Sequence, residues 1–176
     1  MIISKTPYRI SFFGGGTDYP SWYKKNGGSV ISATIDKYIY VIVKGRFDDE
    51  IYLNYSSKEI VSSVSDIKHD LIREAMIKCD VNKSVEITTL ADIPSEGSGL
   101  GSSSSVVVGL LNALHAYKGE LVTSEQLASE ACEIEIDILG KPIGKQDQYA
   151  AAHGGLNIFS FNPDGTVFKK KIDLSN

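Results

Sequence analysis

The chain has 176 residues, of which 42% are hydrophobic and 23% charged, and its formal net charge is −4. This composition is typical of a globular domain and excludes a disordered or collagen-like chain. The acidic balance argues against a general nucleic-acid or anionic-membrane binder, and no apolar run approaches the roughly 20 residues that span a bilayer. The first residues lack the pattern of a signal peptide. We therefore expect one cytoplasmic domain without nucleic-acid or membrane partners.

Strand patterns dominate the first half of the chain and helical patterns the second. Short β-branched and aromatic runs predict strands at 8–12, 29–35, 38–46, 51–55 and 85–90. Helical spacing of apolar residues predicts helices at 69–79, 104–117, 123–139 and 146–152. Two strands, 156–161 and 166–172, follow. This order predicts an α+β fold.

The most informative segment is a glycine- and serine-rich loop between a predicted strand and a predicted buried helix, running from Pro94 to Ser105 as PSEGSGLGSSSS. Glycines let backbone N–H groups approach a ligand, and the N-terminus of the helix favours an anion. Serine hydroxyls can bind phosphate oxygens or magnesium. We favour a phosphate-binding loop over the alternative, a flexible loop ended by a serine cap. The loop matches neither the Walker A nor the dinucleotide motif.

An acid lies on the apolar side of the predicted helix 123–139. At about 100° per residue, the apolar arc includes Ala131 and Ile138, and Glu135 falls near its middle, whereas Glu130 lies on the side expected to face solvent. A buried, unpaired carboxylate costs several kcal/mol, so it needs a cation, hydrogen-bond donors or a proton. A salt bridge is one explanation. Beside a phosphate loop, a magnesium ligand is the better one.

Two further segments carry acids that could meet a substrate. Asp147 begins a predicted short helix and could serve as a base for a substrate hydroxyl, or only as a helix N-terminal carboxylate. Arg9 lies in a strand that precedes Gly14-Gly15-Gly16-Thr17-Asp18-Tyr19. Asp18 could accept hydrogen bonds from sugar hydroxyls, although a simple hairpin turn is the better explanation of this segment taken alone.

Taken together, these segments resemble the GHMP small-molecule kinases, the superfamily of galactokinase, homoserine kinase and mevalonate kinase. Residues 94–103 resemble its phosphate-loop motif, Pro-x-x-x-Gly-Leu-Gly-Ser-Ser, and residues 7–19 resemble its first motif. Residues 135–155 resemble its metal-glutamate helix and the aspartate-bearing helix that follows. The resemblance implies a GHMP-kinase N-terminal, ATP-binding domain over residues 1–176, with a mixed or antiparallel sheet packed by helices. It also implies that the family's C-terminal domain is absent.

The resemblance also implies a role for each motif residue in a sugar kinase that uses ATP with Mg²⁺. Ser103 and Glu135 would hold Mg²⁺. Asp147 would orient or deprotonate the acceptor hydroxyl, and Arg9 would lower the pKa of Asp147 and stabilise phosphoryl charge. The ATP-binding residues would be Pro94, Gly97, Ser98, Gly99, Leu100, Gly101, Ser102, Ser103 and Ser104. The sugar or sugar phosphate would contact Gly14, Gly15, Gly16, Thr17, Asp18 and Tyr19.

Within the superfamily, the segment Gly14 to Pro20 resembles the D-glycero-D-manno-heptose 7-phosphate kinases of bacterial surface-polysaccharide pathways. That resemblance implies phosphorylation of the anomeric hydroxyl to give the 1,7-bisphosphate. Glycines in place of the galactokinase glutamate make room and remove negative charge, which suits an acceptor that already carries phosphate. Two alternatives stay open: another GHMP sugar kinase, similar to galactokinase or fucokinase, and an isolated nucleotide-binding domain without activity.

Overall fold

The computed structural model describes residues 1–93 and 98–173. The strands in this part of the chain are Ile2–Phe13 (β1), Gly28–Gly45 (β2), Ile51–Asn54 (β3), Lys58–Val61 (β4), Val85–Ala91 (β5), Leu156–Phe161 (β6) and Val167–Lys171 (β7). The α-helices are Pro20–Asn26 (α1), Asp70–Lys78 (α2), Ser102–Lys118 (α3), Ser124–Cys132 (α4) and Gln146–His153 (α5). Helix α4 continues directly into a π-helical turn, Glu133–Ile138, and a 3₁₀ turn covers Val64–Asp66.

The described strands form one mixed sheet in the order β4-β3-β5-β2-β6-β7, and β1 pairs with β2. Strand β2 is the centre of this sheet. It pairs with β1 along one side, and on the other side its first half pairs with β6 and its second half with β5. The pairing of β3 with β5 is parallel, and the others are antiparallel. The predicted α+β class is therefore confirmed.

Helix α3 packs close to the sheet across β1 and β2. A Cβ atom on Gly109 of α3 would lie 2.9 Å from Thr6 Oγ1 and 3.2 Å from a methyl group of Val41, so a side chain at this position would push the helix away. The Ser4 hydroxyl of β1 donates to the Gly109 carbonyl at 2.7 Å. Buried residues of α3 such as Leu110 and Leu114 complete the main core. This packing fixes where the N-terminus of α3 lies.

Several element predictions were wrong in detail. The predicted strands 29–35 and 38–46 are one strand of 18 residues, because β2 continues past Asp36 and Lys37 through a register shift opposite β1. Helix α1 and the short, polar strand β4 were not predicted. In the described part of the chain, no helix is long and apolar enough to cross a membrane.

Candidate active site

The C-terminal part of the glycine loop is attached to strand β1. The backbone N–H of Arg9 donates to the Leu100 carbonyl at 3.1 Å, and Arg9 Nη1 donates to the Gly99 carbonyl at 2.7 Å. Gly101 precedes the first residue of α3 in a left-handed conformation, with φ of +75°. Because Gly101 supplies no side chain to cap α3, the serine cap proposed as an alternative does not describe this helix end. The loop instead brings backbone groups to the positive end of the helix.

The residues of the predicted ATP-binding loop differ in their exposure and in their hydrogen bonds. Pro94 and Gly97 lie outside the described residues. The Ser98 hydroxyl accepts from the Leu100 N–H at 3.4 Å, and Ser103 is exposed. Ser104, in contrast, is 0% exposed and donates its hydroxyl to Glu135 Oε2 at 2.6 Å. The Ser104 hydroxyl is therefore used inside the protein, and the predicted contact of Ser104 with ATP stays a prediction.

Arg9 and Asp147, predicted to be neighbours from the family resemblance, form an ion pair. Arg9 Nε and Nη2 both contact Asp147 Oδ1, at 2.7 and 2.6 Å. Tyr8 and Arg9 are consecutive and both buried, at the point where the register between β1 and β2 shifts. Such irregularities commonly re-aim a side chain next to a functional site. Here the shift lets Arg9 reach α5.

The glycine loop lies beside the Arg9–Asp147 pair. A Cβ atom on Gly101 would lie 3.2 Å from Asp147 Oδ2 and 3.4 Å from Arg9 Cγ. A ligand bound at the start of α3 is therefore next to a carboxylate and a guanidinium. Burial raises the pKa of the Asp147 carboxyl, and the positive charge of Arg9 opposes that rise without cancelling it. The expectation that Arg9 lowers the pKa of Asp147 agrees with this contribution, although burial leaves the pKa of Asp147 raised overall.

Glu135 is buried as predicted, at 0% exposure, within the π-helical turn. Its Oε2 accepts hydrogen bonds from Ser104 Oγ and Gln148 Nε2, both at 2.6 Å. Its Oε1 is buried and has no hydrogen-bond partner among the described residues. Burial raises the pKa of Glu135, opposed by the hydroxyls of Ser104 and Ser103 and by the Gln148 amide. Single π-helical turns occur often at functional sites.

The unpartnered Oε1 atom of Glu135 fits a magnesium ligand. An orphaned carboxylate oxygen inside a protein is costly, and a divalent cation would remove that cost. The exposed Ser103 hydroxyl, close enough to favour the ionised carboxylate, would be the second ligand. No group of three or more His, Cys, Asp or Glu side chains arranged to hold a metal ion occurs in residues 1–93 and 98–173. A metal here would take its remaining ligands from water and phosphate, as Mg²⁺ on nucleotides usually does.

The predicted sugar-binding turn, residues 14–19, is held by its own hydrogen bonds. Thr17 Oγ1 donates to the Gly14 carbonyl at 2.7 Å, and Gly14, with φ of +86°, lies so close to the Ser29 carbonyl that no Cβ would fit. Gly15 lies near the Gln146 side chain, Gly16 has an open surface, and Tyr19 is 37% exposed. Asp18 is 0% exposed, and both of its carboxylate oxygens accept protein donors. Sugar binding by this turn stays a prediction.

Two functional neighbours were missed in the sequence, Gln146 and Gln148. They flank Asp147, and their amides bind Asp18 and Glu135 respectively. Both side chains carry a buried carbonyl oxygen without a hydrogen-bond partner in the described part of the chain. Their symmetrical placement in Gln-Asp-Gln was the available signal. Which carboxylate each amide would bind depends on contacts that are remote in sequence.

The domain is thus an α+β domain with a mixed sheet, a glycine loop at a helix N-terminus and a buried acidic residue that receives a hydrogen bond from that helix. Residues 59–155 match the sequence profile of the GHMP kinases N terminal domain. Since that match covers more than half of the chain, the chain belongs to the GHMP kinase family.

Two similar proteins in this family are named as heptose phosphate kinases. The chain is 35% identical to a D-glycero-alpha-D-manno-heptose 7-phosphate kinase of Campylobacter jejuni, over 99% of this chain and 55% of the relative. A crystal structure of a D-glycero-D-manno-heptose 1-phosphate kinase from Bacteroides thetaiotaomicron superposes with a TM-score of 0.91 at 32% identity, covering 99% of this chain and 61% of that one.

Galactokinase of Thermotoga maritima is a more distant relative, with 26% identity over 85% of this chain and 43% of the relative. The chain thus spans about half the length of the curated relatives it matches.

Proposed function

We propose that the chain forms the ATP-binding half of a sugar kinase that transfers the γ-phosphoryl group of MgATP to the anomeric hydroxyl of D-glycero-D-manno-heptose 7-phosphate. The product is the 1,7-bisphosphate. The observation that carries this proposal is the position of Gly101, at the start of α3, beside the Arg9–Asp147 ion pair, so close that a Cβ atom on Gly101 would touch both side chains. It puts a phosphate-binding loop beside a base and a cation, which is what phosphoryl transfer requires.

Each described residue of the site has a role in this reaction. The backbone of Gly99 to Gly101 and the first turn of α3 bind the ATP phosphates. Asp147 accepts the proton of the acceptor hydroxyl while the oxygen of that hydroxyl attacks the γ-phosphorus of ATP. The bond between the γ-phosphorus and the oxygen that bridges it to the β-phosphorus breaks, and ADP leaves. The raised pKa of Asp147 suits this proton transfer, because it makes the carboxylate a stronger base near neutral pH. Arg9 orients Asp147 and stabilises the charge on the transferred group.

Glu135 and Ser103 would hold the magnesium ion, whose charge neutralises that of the phosphates. Glu135 is poised for this by its two hydrogen bonds at Oε2, which leave Oε1 available. The side chains of Ser104 and Gln148 therefore support the site through their hydrogen bonds to Glu135. Gln148 also follows Asp147 directly, so one short helix carries both the proposed base and a support of the proposed metal ligand.

The substrate assignment is supported by the named heptose phosphate kinases at 32% and 35% identity and by the three glycines of residues 14–16. It is tested by ³¹P NMR of the full-length protein with MgATP and a panel of acceptors. The panel contains D-glycero-D-manno-heptose 7-phosphate, D-glycero-D-manno-heptose 1-phosphate, galactose and fucose. A new anomeric phosphate signal with the 7-phosphate alone is the expected result. Turnover of galactose or fucose in preference to both heptose phosphates would overturn the assignment.

A further inference from the structure

We propose that Asp18 is a positioning residue that fixes the N-terminus of helix α5, and thereby Asp147, instead of a ligand of the sugar. The inference rests on the proposed function in one respect, that Asp147 is the group which meets the acceptor hydroxyl. Its structural part, the attachment of α5 by Asp18, stands independently of any reaction and is tested separately below.

Asp18 makes contacts with α5 through its carboxylate and its backbone. Oδ2 accepts from the backbone N–H of Gln146 at 3.1 Å, and Oδ1 accepts from Gln146 Nε2 at 3.3 Å. The Asp18 carbonyl accepts from the Lys145 N–H at 3.2 Å. Oδ1 also accepts from the Gly16 N–H at 2.9 Å, within its own turn. One side chain therefore joins the glycine turn after β1 to a helix 128 residues further along the chain.

These contacts replace a local helix cap. Helix α5 begins at Gln146, and Lys145, the residue before it, provides no side-chain cap. The first N–H groups of a helix need acceptors, and a negative charge there is favourable. Asp18 supplies both from a distant segment. Asp147 is the next residue after Gln146, so the same hydrogen bonds that cap the N-terminus of α5 also set where the Asp147 side chain lies.

Gly144 gives independent support, because the space beside it is occupied by the Asp18 carboxylate. A Cβ atom on Gly144 would lie 1.9 Å from Asp18 Oδ2 and 2.3 Å from Cγ, a distance no real contact allows. The φ angle of Gly144 is not in the left-handed region, so its backbone does not itself require glycine. The reason for glycine is therefore the room that the carboxylate takes against the start of α5.

Burial separates this role from sugar binding. A ligand hydroxyl can reach a carboxylate only if part of the group is accessible, and Asp18 is 0% exposed. The Asp18 charge also acts on Asp147, whose pKa it raises further. Removing that charge while keeping the side-chain size, in D18N, should thus lower the pKa of Asp147, which checks that the two carboxylates lie close together.

The structural test uses the 176-residue chain without substrate. Amide hydrogen exchange of residues 146–153 and ¹³C titration of the Asp147 carboxyl are compared in wild type, D18N, G144A and the control G45A. Gly45 also lies near a side chain, the Tyr117 hydroxyl, but far from α5 in sequence and on the end of β2. We expect at least tenfold faster exchange in α5 for D18N and G144A, with α3 and G45A unchanged. Unchanged exchange in α5 would overturn the proposal whether or not the protein is a kinase.

The functional test separates positioning from sugar binding in the full-length protein. Positioning predicts that G144A and D18A each lower kcat at least tenfold with less than a threefold change in the sugar KM, and that the double variant is no worse than D18A alone. A sugar ligand at Asp18 predicts a raised KM in D18A and an added loss from G144A, which would contradict the proposal. Should D18N or D18A not fold, G144A still decides, because it leaves Asp18 and its charge in place.

Discussion

The guanidinium of Arg9 and the carboxylate of Asp147, 138 residues apart in sequence, form an ion pair of 2.6 Å beside Gly101, where a Cβ atom would touch both side chains. The same guanidinium holds the Gly99 carbonyl through Nη1. Arg9 thus links the glycine loop, the first strand and the helix that carries Asp147. One side chain therefore joins the proposed sites of phosphate binding and proton transfer, and the next two predictions depend on this arrangement.

Replacement of Asp147 by asparagine should remove the base without removing the nucleotide site. D147N keeps the side-chain size but cannot take up a proton, so we expect kcat to fall by about 10²- to 10⁴-fold. The Kd for MgATP should stay within about threefold of wild type. The matched control is D137N, because Asp137 is exposed on the π-helical turn. Steady-state kinetics that show equal turnover in D147N and D137N would exclude the proposed base.

Gly101 offers a test of the contact between loop and ion pair. In G101A the new methyl group meets Asp147 Oδ2 at 3.2 Å, and it also strains a residue with φ of +75°. Gly119, at the other end of α3, has a similar φ of +82° with nothing nearby. Both variants should lose about 1 kcal/mol of stability. Only G101A should weaken MgATP binding and lower kcat; an equal effect of G119A on binding would show that strain alone is responsible.

We predict that His115, near the C-terminal end of α3, makes a pH-dependent contribution to the stability of the fold. Its side chain is 8% exposed, and its two nitrogens contact Glu120 and Glu130 at 2.7 and 2.8 Å. Burial opposes the charged imidazolium, but these two carboxylates outweigh it and raise the pKa of His115. Because the pKa of His115 is higher in the folded protein than in the unfolded chain, protonation of His115 stabilises the fold. This stabilisation is complete below the unfolded-state pKa of about 6.5 and is lost as the pH rises through the folded-state pKa.

Urea unfolding of wild type and H115Q between pH 6 and pH 9 measures this contribution. The free energy of unfolding should differ by about 2 kcal/mol at pH 6, because two charge-assisted hydrogen bonds are lost. The difference should shrink towards pH 9. Taking the difference removes the pH dependence of His69 and His153, which are present in both proteins. A difference that does not change with pH would contradict the assigned ionisation.

Local patterns in the sequence were sufficient for the fold class and for Glu135. The spacing of apolar residues at 100° each correctly placed Glu135 in the interior. The same rule failed three residues later, where Ile138 is 50% exposed. The reason is the π-helical turn, which has more residues per turn and so rotates the following side chains away from the α-helical arc. Nothing in the local sequence announces that turn.

Contacts between remote segments could not be predicted from patterns. Glu130, expected on a solvated face, has a side chain only 14% exposed, because His115 from α3 lies against it. The partners of Asp18 likewise depend on how α5 docks, which no local spacing records. The Arg9–Asp147 pair was expected only through the family resemblance, and its net effect on pKa depends on burial, which exists only in the folded chain.

The most direct test of the proposed MgATP site is calorimetric titration of ATP into the chain with and without Mg²⁺, for wild type, E135Q and E133Q. Glu133 lies on the same π-helical turn, but its carboxylate is partly exposed and paired with Lys78. We predict that Mg²⁺ tightens ATP binding at least tenfold in wild type and in E133Q, and that E135Q loses this gain. Equal magnesium dependence in E135Q and wild type would contradict the account.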